Sequence, residues 1–361
     1  MDFDRLLKAM VDQEGSDLFL KVGNKPFVRL NGKLIPIGEE KLGQEQLHAL
    51  TADLLSPQGR QAFHADRELN FAFERPGIGR FRANVLWQRG TMALVIRRIR
   101  KATATFAQLG LPGEVLTRLL GEQHGMILLT GPTGTGKSTT IASMLDHINH
   151  TSSRHIVTLE DPIEYQFEEK QAVINQREVG SDTRSFSEGL RNVLRQSPDV
   201  LFLSDIRDRE TMESALLAAE AGQLVLSCLH TTNAVTTIER LVAFFSPHQH
   251  QLTRLRLSQI LKGVISLRLL TRADGAGRIP VCEVLVATPT VKELIREGHT
   301  DQLPAVIHDG GMAGMQTFTQ ALYHRYKHGD VKLEEALRYA DSPEELQLAI
   351  REIRATRDIQ R

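Results

Sequence analysis

The sequence predicts an α/β protein in two parts. A small mixed domain with a largely antiparallel sheet comes first, and a larger domain built on a parallel sheet with helices on both faces follows. Three observations predict this. The length, 361 residues, exceeds what one hydrophobic core usually organises. The pattern then changes along the chain: strand-like runs joined by turn residues extend to Ile99, whereas apolar strands alternate with helical segments from Gly125 onward. Finally, Gly131-Pro132-Thr133-Gly134-Thr135-Gly136-Lys137-Ser138 matches the phosphate-binding pattern G-x-x-x-x-G-K-[ST] at every fixed position.

Taken in order, residues 2–12 read as an amphipathic helix with Phe3, Leu6, Leu7, Met10 and Val11 on one side. Residues 17–22 read as a strand, and Phe27–Leu30 and Lys33–Ile37 flank Asn31-Gly32, a two-residue hairpin signal. Residues 44–66 read as helix broken near Pro57, and Leu69–Glu74, Gly79–Gln88 and Thr91–Ile99 read as three strands. Between positions 80 and 100 lie Arg80, Arg82, Arg89, Arg97, Arg98 and Arg100 with no acid among them. Arg80 and Arg82 share a strand face because side chains alternate. Such a face is either simply solvated or presents guanidinium groups to a phosphate, for which their fixed charge and bidentate geometry suit them. Residues 101–115 read as a linker.

In the second part, Gly125–Thr130 reads as a buried strand, and the residues after Lys137 place Ile141, Met144, Leu145 and Ile148 at helical spacing. Strand, glycine-rich turn and helix N-terminus together make an anion site. His155–Leu159, Val200–Leu203 and Leu224–Leu229 read as further buried strands, separated by helices over 185–195 and 209–221. Glu160, Asp205 and His230 each fall at the carboxyl end of a strand, where ligands sit in open α/β sheets. From about residue 236 the pattern turns helical, with Ile279–Val286 as a possible strand and helices over Pro289–Glu297, Met315–Lys327, Lys332–Ala340 and Pro343–Arg354.

Composition narrows the function. Hydrophobic residues make up 41% and charged residues 24%, as in soluble globular proteins. Lys plus Arg equals Asp plus Glu at 44 each, so no global basic field points to nucleic acid. The acidic start Met1-Asp2-Phe3-Asp4-Arg5 is unlike a signal peptide, and no stretch approaches a membrane span, so a cytoplasmic location is expected. The two cysteines, Cys228 and Cys282, cannot form a disulfide framework or a four-cysteine zinc site and are expected as buried thiols.

The chemistry of the loop is nucleotide binding. Gly131, Gly134 and Gly136 let the backbone aim its N–H groups at phosphates, Lys137 would reach the β- and γ-phosphates, and the Ser138 hydroxyl would hold Mg²⁺. Hydrolysis also needs a carboxylate on the metal side and a group that positions water. Asp205 fits the first, acting indirectly on the metal. Glu160 fits the second, with a cap before Pro162 as its structural alternative. His230 could contact the γ-phosphate or be a hydrogen-bonded structural histidine.

The chain resembles the PilT/PilU retraction ATPases of type IV pili, within the secretion ATPase superfamily that includes the PilB and GspE types. The resemblance covers nearly the whole chain. It rests on Gly131–Thr139 as phosphate loop and Leu159-Glu160-Asp161-Pro162-Ile163-Glu164-Tyr165 as aspartate box. Asn175-Gln176-Arg177-Glu178-Val179, Leu194–Val200 leading to Arg207-Asp208, Leu229-His230-Thr231 as histidine box, and Leu294-Ile295-Arg296 continue it. Gly314-Met315-Gln316-Thr317 and Glu335-Ala336-Leu337 also match. The resemblance implies a PAS-like N-terminal domain over 1–100 and a RecA-like ATPase domain over 116–361, assembled as a homo-hexamer that uses ATP and Mg²⁺. It implies that Arg80, Arg82 and Arg97 approach bound nucleotide, and that the ring acts on an inner-membrane pilus platform protein, with a paralogous retraction ATPase as a further partner and no nucleic acid. The short N-terminal part and the absence of a four-cysteine zinc insertion favour the retraction branch, as a PilU-like or divergent PilT-like motor. Two positions depart from the family pattern: Ser204-Asp205 stands where Gly-Glu is usual, and Gly222-Gln223 where Gly-His is common. Asp is one methylene shorter than Glu, so its carboxylate sits roughly 1.5 Å back. A displacement near 1 Å can cost on the order of 100-fold in rate, which predicts slow turnover.

Overall fold

The computed structural model describes residues 2–30, 32–101 and 104–359, with side chains described as far as Arg351. Asn31 of the expected hairpin and Ala102 and Thr103 of the expected linker lie outside the described residues. The chain divides into two compact units: the first ends at Lys101 and takes in Glu164–Gln166, and the rest forms the second.

The first unit begins with helix α1 (Phe3–Asp12), whose N-terminus is capped by the Asp2 carboxylate accepting from the Arg5 N–H. Strands β1 (Asp17–Lys21), β2 (Phe27–Leu30) and β3 (Lys33–Pro36) follow, then helices α2 (Gln44–Leu54) and α3 (Pro57–Asp66) and strands β4 (Glu68–Arg75), β5 (Gly79–Gln88) and β6 (Thr91–Arg98). Pro57 stands at the first turn of α3, where its missing N–H costs nothing, so the proline starts a helix rather than merely ending one. The six strands form one sheet in the order β3-β2-β1-β6-β5-β4, every neighbouring pair antiparallel. Alternation decides its two faces. Leu18, Leu20, Val28, Phe81, Ala83, Val85, Leu94 and Ile96 are buried with Phe3, Leu7 and Met10 of α1 and Leu47 of α2. The opposite face carries Arg29, Asp17, Arg97 and Arg82 in one row across four strands. A two-residue strand, β7 (Arg100–Lys101), pairs in parallel with a later one, β10 (Tyr165–Gln166).

The second unit holds helices α4 (Phe106–Leu109) and α5 (Gly113–Leu120), strand β8 (Gly125–Thr130), helix α6 (Lys137–Thr151), strands β9 (His155–Glu160) and β11 (Val173–Glu178), and helix α7 (Phe186–Val193). Strand β12 (Val200–Leu203), helix α8 (Arg209–Glu220), strand β13 (Leu224–Leu229), helices α9 (Ala234–Ala243) and α10 (His250–Ile260), and strands β14 (Leu261–Thr271) and β15 (Arg278–Val286) come next. Helices α11 (Pro289–Glu297), α12 (Leu303–Asp309), α13 (Phe318–Lys327), α14 (Leu333–Arg338) and α15 (Pro343–Ile359) complete it. Its seven-stranded sheet runs β11-β9-β12-β13-β8-β14-β15, parallel except for the β14–β15 pair. One core lies on each face, one containing Leu190, Met212, Leu216 and Ile238 and the other Leu116, Ile141, Met144 and Ile148.

Two expectations are corrected. Residues 106–115 are not linker: Phe106, Leu111 and Val115 are buried in the second unit's core, and Ser143 Oγ donates to the Ala104 carbonyl at 2.7 Å. The helical reading from residue 236 fails over 261–271, where β14 extends the sheet past the phosphate-loop strand and pairs with β15, the strand expected over 279–286. The reason is burial. Residues 263–267 are buried without interruption because both faces of β14 are covered, and a continuous apolar run carries no period of two. Cys228 and Cys282 are buried free thiols, and burial pushes that of Cys282 up to about 12. No helix among the described residues is long and apolar enough to cross a membrane.

Candidate nucleotide site

The parallel register brings the ends of four strands to one edge of the second unit's sheet. Thr130 pairs with Leu229, Ser227 with Leu203, and Leu203 with Leu159, so Gly131, His230, Ser204-Asp205 and Glu160 emerge side by side. The order along the edge is phosphate loop, histidine, aspartate, glutamate.

The loop adopts the backbone its glycines permit. Gly131, Gly134 and Gly136 have φ of 145°, 84° and 94°. At Gly131 space forbids a side chain as well: a Cβ there would lie 2.7 Å from the Leu267 carbonyl oxygen and 2.7 Å from Thr135 Oγ1. Pro132, Thr133 and Gly134 are exposed, Thr135, Gly136, Ser138 and Thr139 half-buried, and Lys137 buried. Helix α6 starts at Lys137, so its N-terminal end stands at the loop. Thr135 Oγ1 donates to the Pro132 carbonyl at 2.9 Å, and Lys137 Nζ donates to the Gly131 and Pro132 carbonyls at 2.6 and 2.9 Å. The ammonium thus holds the loop's mouth to the head of its own helix. Arg278 of β15 reaches the loop from outside, donating to the Gly134 carbonyl at 3.4 Å.

His230 links the loop to the aspartate. Its Nδ1 lies 3.4 Å from Lys137 Nζ and its Nε2 lies 3.7 Å from Asp205 Oδ2. An ammonium only donates, so Nδ1 is the acceptor and the proton is assigned to Nε2, on the aspartate side. Asp205, buried, accepts from Arg207 Nε at 2.8 Å, and Arg207 Nη1 lies 3.3 Å from Asp161 Oδ2. The Asp205 hydrogen bond is the main cause that raises the Arg207 guanidinium above its ordinary value. Ser204 also acts: its Oγ accepts the Asp161 N–H at 3.1 Å. A glycine there has no such acceptor. Both side chains tie the strand ends of β9 and β12 together.

Glu160 is buried, and its Oε1 accepts from Thr158 Oγ1 at 2.7 Å and from Gln176 Nε2 at 3.1 Å. Behind the site, Glu283 on β15 is largely buried and accepts the Ala234 N–H at 2.8 Å, which fixes the start of α9 four residues after His230. Burial raises the Glu283 carboxyl above the ordinary range, against the lowering effects of the Ala234 and Ser266 hydrogen bonds.

In the first unit, Asp17 is buried beneath two arginines, accepting from Arg97 Nε at 2.8 Å and lying 3.3 Å from Arg29 Nε. Arg97 remains 72% exposed beyond that bond, so its terminal nitrogens face solvent. Arg82, its cross-strand neighbour, and Arg80 are half-buried on the same sheet face.

A model of the type II/IV secretion system protein family matches residues 64–276. A type IV pilus ATPase, PilU of Pseudomonas aeruginosa, is 41% identical over 351 residues, 97% of this chain and 92% of the relative. The retraction ATPase PilT of the same organism is 41% identical over 95% of this chain and 99% of its own length. The chain belongs to the PilT/PilU family. Its fold agrees: a crystal structure of the pilus retraction motor PilT with bound ADP superposes with a TM-score of 0.89 at 42% identity, covering 96% of this chain and 99% of that one. The second unit is therefore the family's RecA-like ATPase domain.

Sequence reasoning named the loop, Glu160, Asp205 and His230, and the structure brings all four to one edge. It gave no role to Thr158, Gln176, Glu178 or Glu283. For Gln176 and Glu178 a signal existed, because residues two apart in a strand share a face.

The residues present fit a nucleotide with Mg²⁺. The loop bars a side chain at Gly131, and the α6 N-terminus and Lys137 supply positive potential. Ser138 and Asp205 would offer only a few oxygens to Mg²⁺, which suits an ion that keeps several waters.

Proposed function

We propose that this chain is a motor ATPase that couples MgATP hydrolysis to type IV pilus retraction and so to twitching motility. The observation that carries the reading is the alignment of phosphate loop, His230, Asp205 and Glu160 along one sheet edge in a chain of the PilT/PilU family. Residues 131–139 and Lys137 bind the phosphates. Ser138, with Asp205 acting indirectly, would hold Mg²⁺, which when bound neutralises phosphate charge. Glu160 takes a proton from the attacking water as its oxygen bonds to the γ-phosphorus and the bond to the β-phosphate oxygen breaks. His230, between Lys137 and Asp205, contacts the γ-phosphate and registers its loss. Arg80, Arg82 and Arg97 complete the site, and the working form is a homo-hexamer. It acts at the inner face of the cytoplasmic membrane on the pilus platform protein.

The test is phosphate release by the purified protein, together with restoration of twitching in a strain lacking the gene. Wild type is expected to hydrolyse ATP, Lys137→Ala to lose ATP binding, and Glu160→Gln to bind ATP without turnover. Turnover retained in Glu160→Gln refutes the role given to Glu160. One observation favours a second reading, a weakly hydrolysing subunit that assists an active retraction ATPase: the shorter Asp205 carboxylate is engaged by Arg207. That reading predicts twitching only when the active paralogue is present.

A further inference from the structure

Strand β11 lies at the edge of the parallel sheet and carries Asn175–Glu178 of the stretch Asn175–Val179, to which the mechanism above assigns nothing. It pairs with β9 in parallel, Gln176 opposite Thr158 and Glu178 opposite Glu160. These four side chains share one face of the two strands. We propose that Gln176 is a positioning residue that fixes the Glu160 carboxylate for its reaction with water. The inference rests on the reading of Glu160 as the base.

The amide orientation of a glutamine must be assigned from its partners. Here the partners settle it. The Phe167 backbone N–H donates to Gln176 Oε1 at 3.2 Å, so that atom is the acceptor. The other arm must therefore be the NH₂ group, and it points at Glu160 Oε1, 3.1 Å away. A backbone donor thus locks the amide, and the locked amide aims a donor at the carboxylate. Thr158 Oγ1 gives a second donor to the same oxygen at 2.7 Å. Two donors on one oxygen fix the plane of the carboxylate and so the direction of its other oxygen. Both donors also match the anion, the form that can accept a proton.

The last residue of β11 and the one after it support the same strand end. Glu178 Oε2 accepts the Ile163 N–H at 3.1 Å, and the Val179 N–H donates to the Glu160 carbonyl at 2.8 Å. From the other side, Ser204 Oγ holds the Asp161 N–H. Glu160 therefore stands on a backbone clamped by both flanking strands, and Gln176 sets its side chain within that frame. Since a displacement near 1 Å can cost on the order of 100-fold, loss of one of two donors is expected to lower turnover by roughly 10- to 100-fold while leaving nucleotide binding alone.

The experiment uses the full chain with Gln176→Leu, which removes the donor, and Gln176→Glu, which keeps the shape and the acceptor for Phe167 but turns a carboxylate toward Glu160. Expected for both is a kcat reduced about 10-fold or more, with ATP affinity within about 2-fold of wild type. A second readout needs no turnover. The thermal midpoint of Gln176→Glu is expected to fall below wild type at pH 7.5, and the gap to close by about pH 4.5, where facing carboxylates share a proton. A gap independent of pH, or a kcat within about 2-fold of wild type in Gln176→Leu while Glu160→Gln is inactive, overturns the positioning role. Full activity of Glu160→Gln overturns the underlying reading of Glu160 instead.

Discussion

Lengthening Asp205 by one methylene tests what the shorter acid does to turnover. In the structure its carboxylate lies 2.8 Å from Arg207 Nε and 3.7 Å from His230 Nε2. Asp205→Glu advances the carboxylate by roughly 1.5 Å. If that restores the reach the chemistry needs, the gain is bounded by about 100-fold, or about 2.7 kcal/mol. Against it stands the contact with Arg207, which the longer side chain must remake. A hydrogen bond to a charged group contributes about 1.5–3 kcal/mol, but the Arg207 side chain is 59% exposed. Solvent screening lowers the loss to about 1 kcal/mol. The difference leaves about 1.7 kcal/mol, so kcat should rise about 10- to 30-fold. The assay is phosphate release at saturating MgATP, with ATP affinity and thermal midpoint measured on the same preparations. A kcat at or below wild type, with affinity and midpoint unchanged, refutes the reasoning and leaves Asp205 as an acid already at its working distance.

Glu283 gives a pH signature. Burial raises its folded-state value, so its contribution to stability is fully present below the unfolded carboxylate value and is lost as pH rises through the folded one. Asp341 raises it further and Arg268 lowers it. The wild type should therefore lose thermal stability relative to Glu283→Gln as pH is taken from about 4 to 7, and parallel curves for the two proteins would contradict the burial argument. In the first unit, Asp17→Asn removes the buried charge beneath Arg29 and Arg97. Both arginines reach solvent, so the cost should be about 1–2 kcal/mol in urea unfolding, below the 3–5 kcal/mol of a fully buried pair; a loss of the larger size would mean that the arginines are not solvated once freed.

Much of this was legible because local physics was enough. The glycines at 131, 134 and 136 must take positive φ, and an apolar strand before them and a helix after them leave one geometry for the loop. The alternation of Arg80 and Arg82 with Phe81 and Ala83 likewise determined which side of β5 faces the core. Reading failed where burial erased the period. β14 is covered on both faces and looked helical, and Phe106 and Leu111, separated by turn residues, looked like linker although they sit in the core.

The sequence by itself picked out the groups proposed to do the chemistry: a phosphate loop with its lysine, two carboxylates and a histidine, each at the end of an apolar run. The tertiary structure decided how they are held. Strand order is a long-range property, and only the β11-β9-β12 pairing brings Gln176 to the Glu160 oxygen that Thr158 of the same strand also holds, and Ser204 to the Asp161 N–H. No local pattern encodes a hydrogen bond between neighbouring strands that lie far apart in the chain. That pairing turns a row of reactive side chains into a site with a fixed geometry.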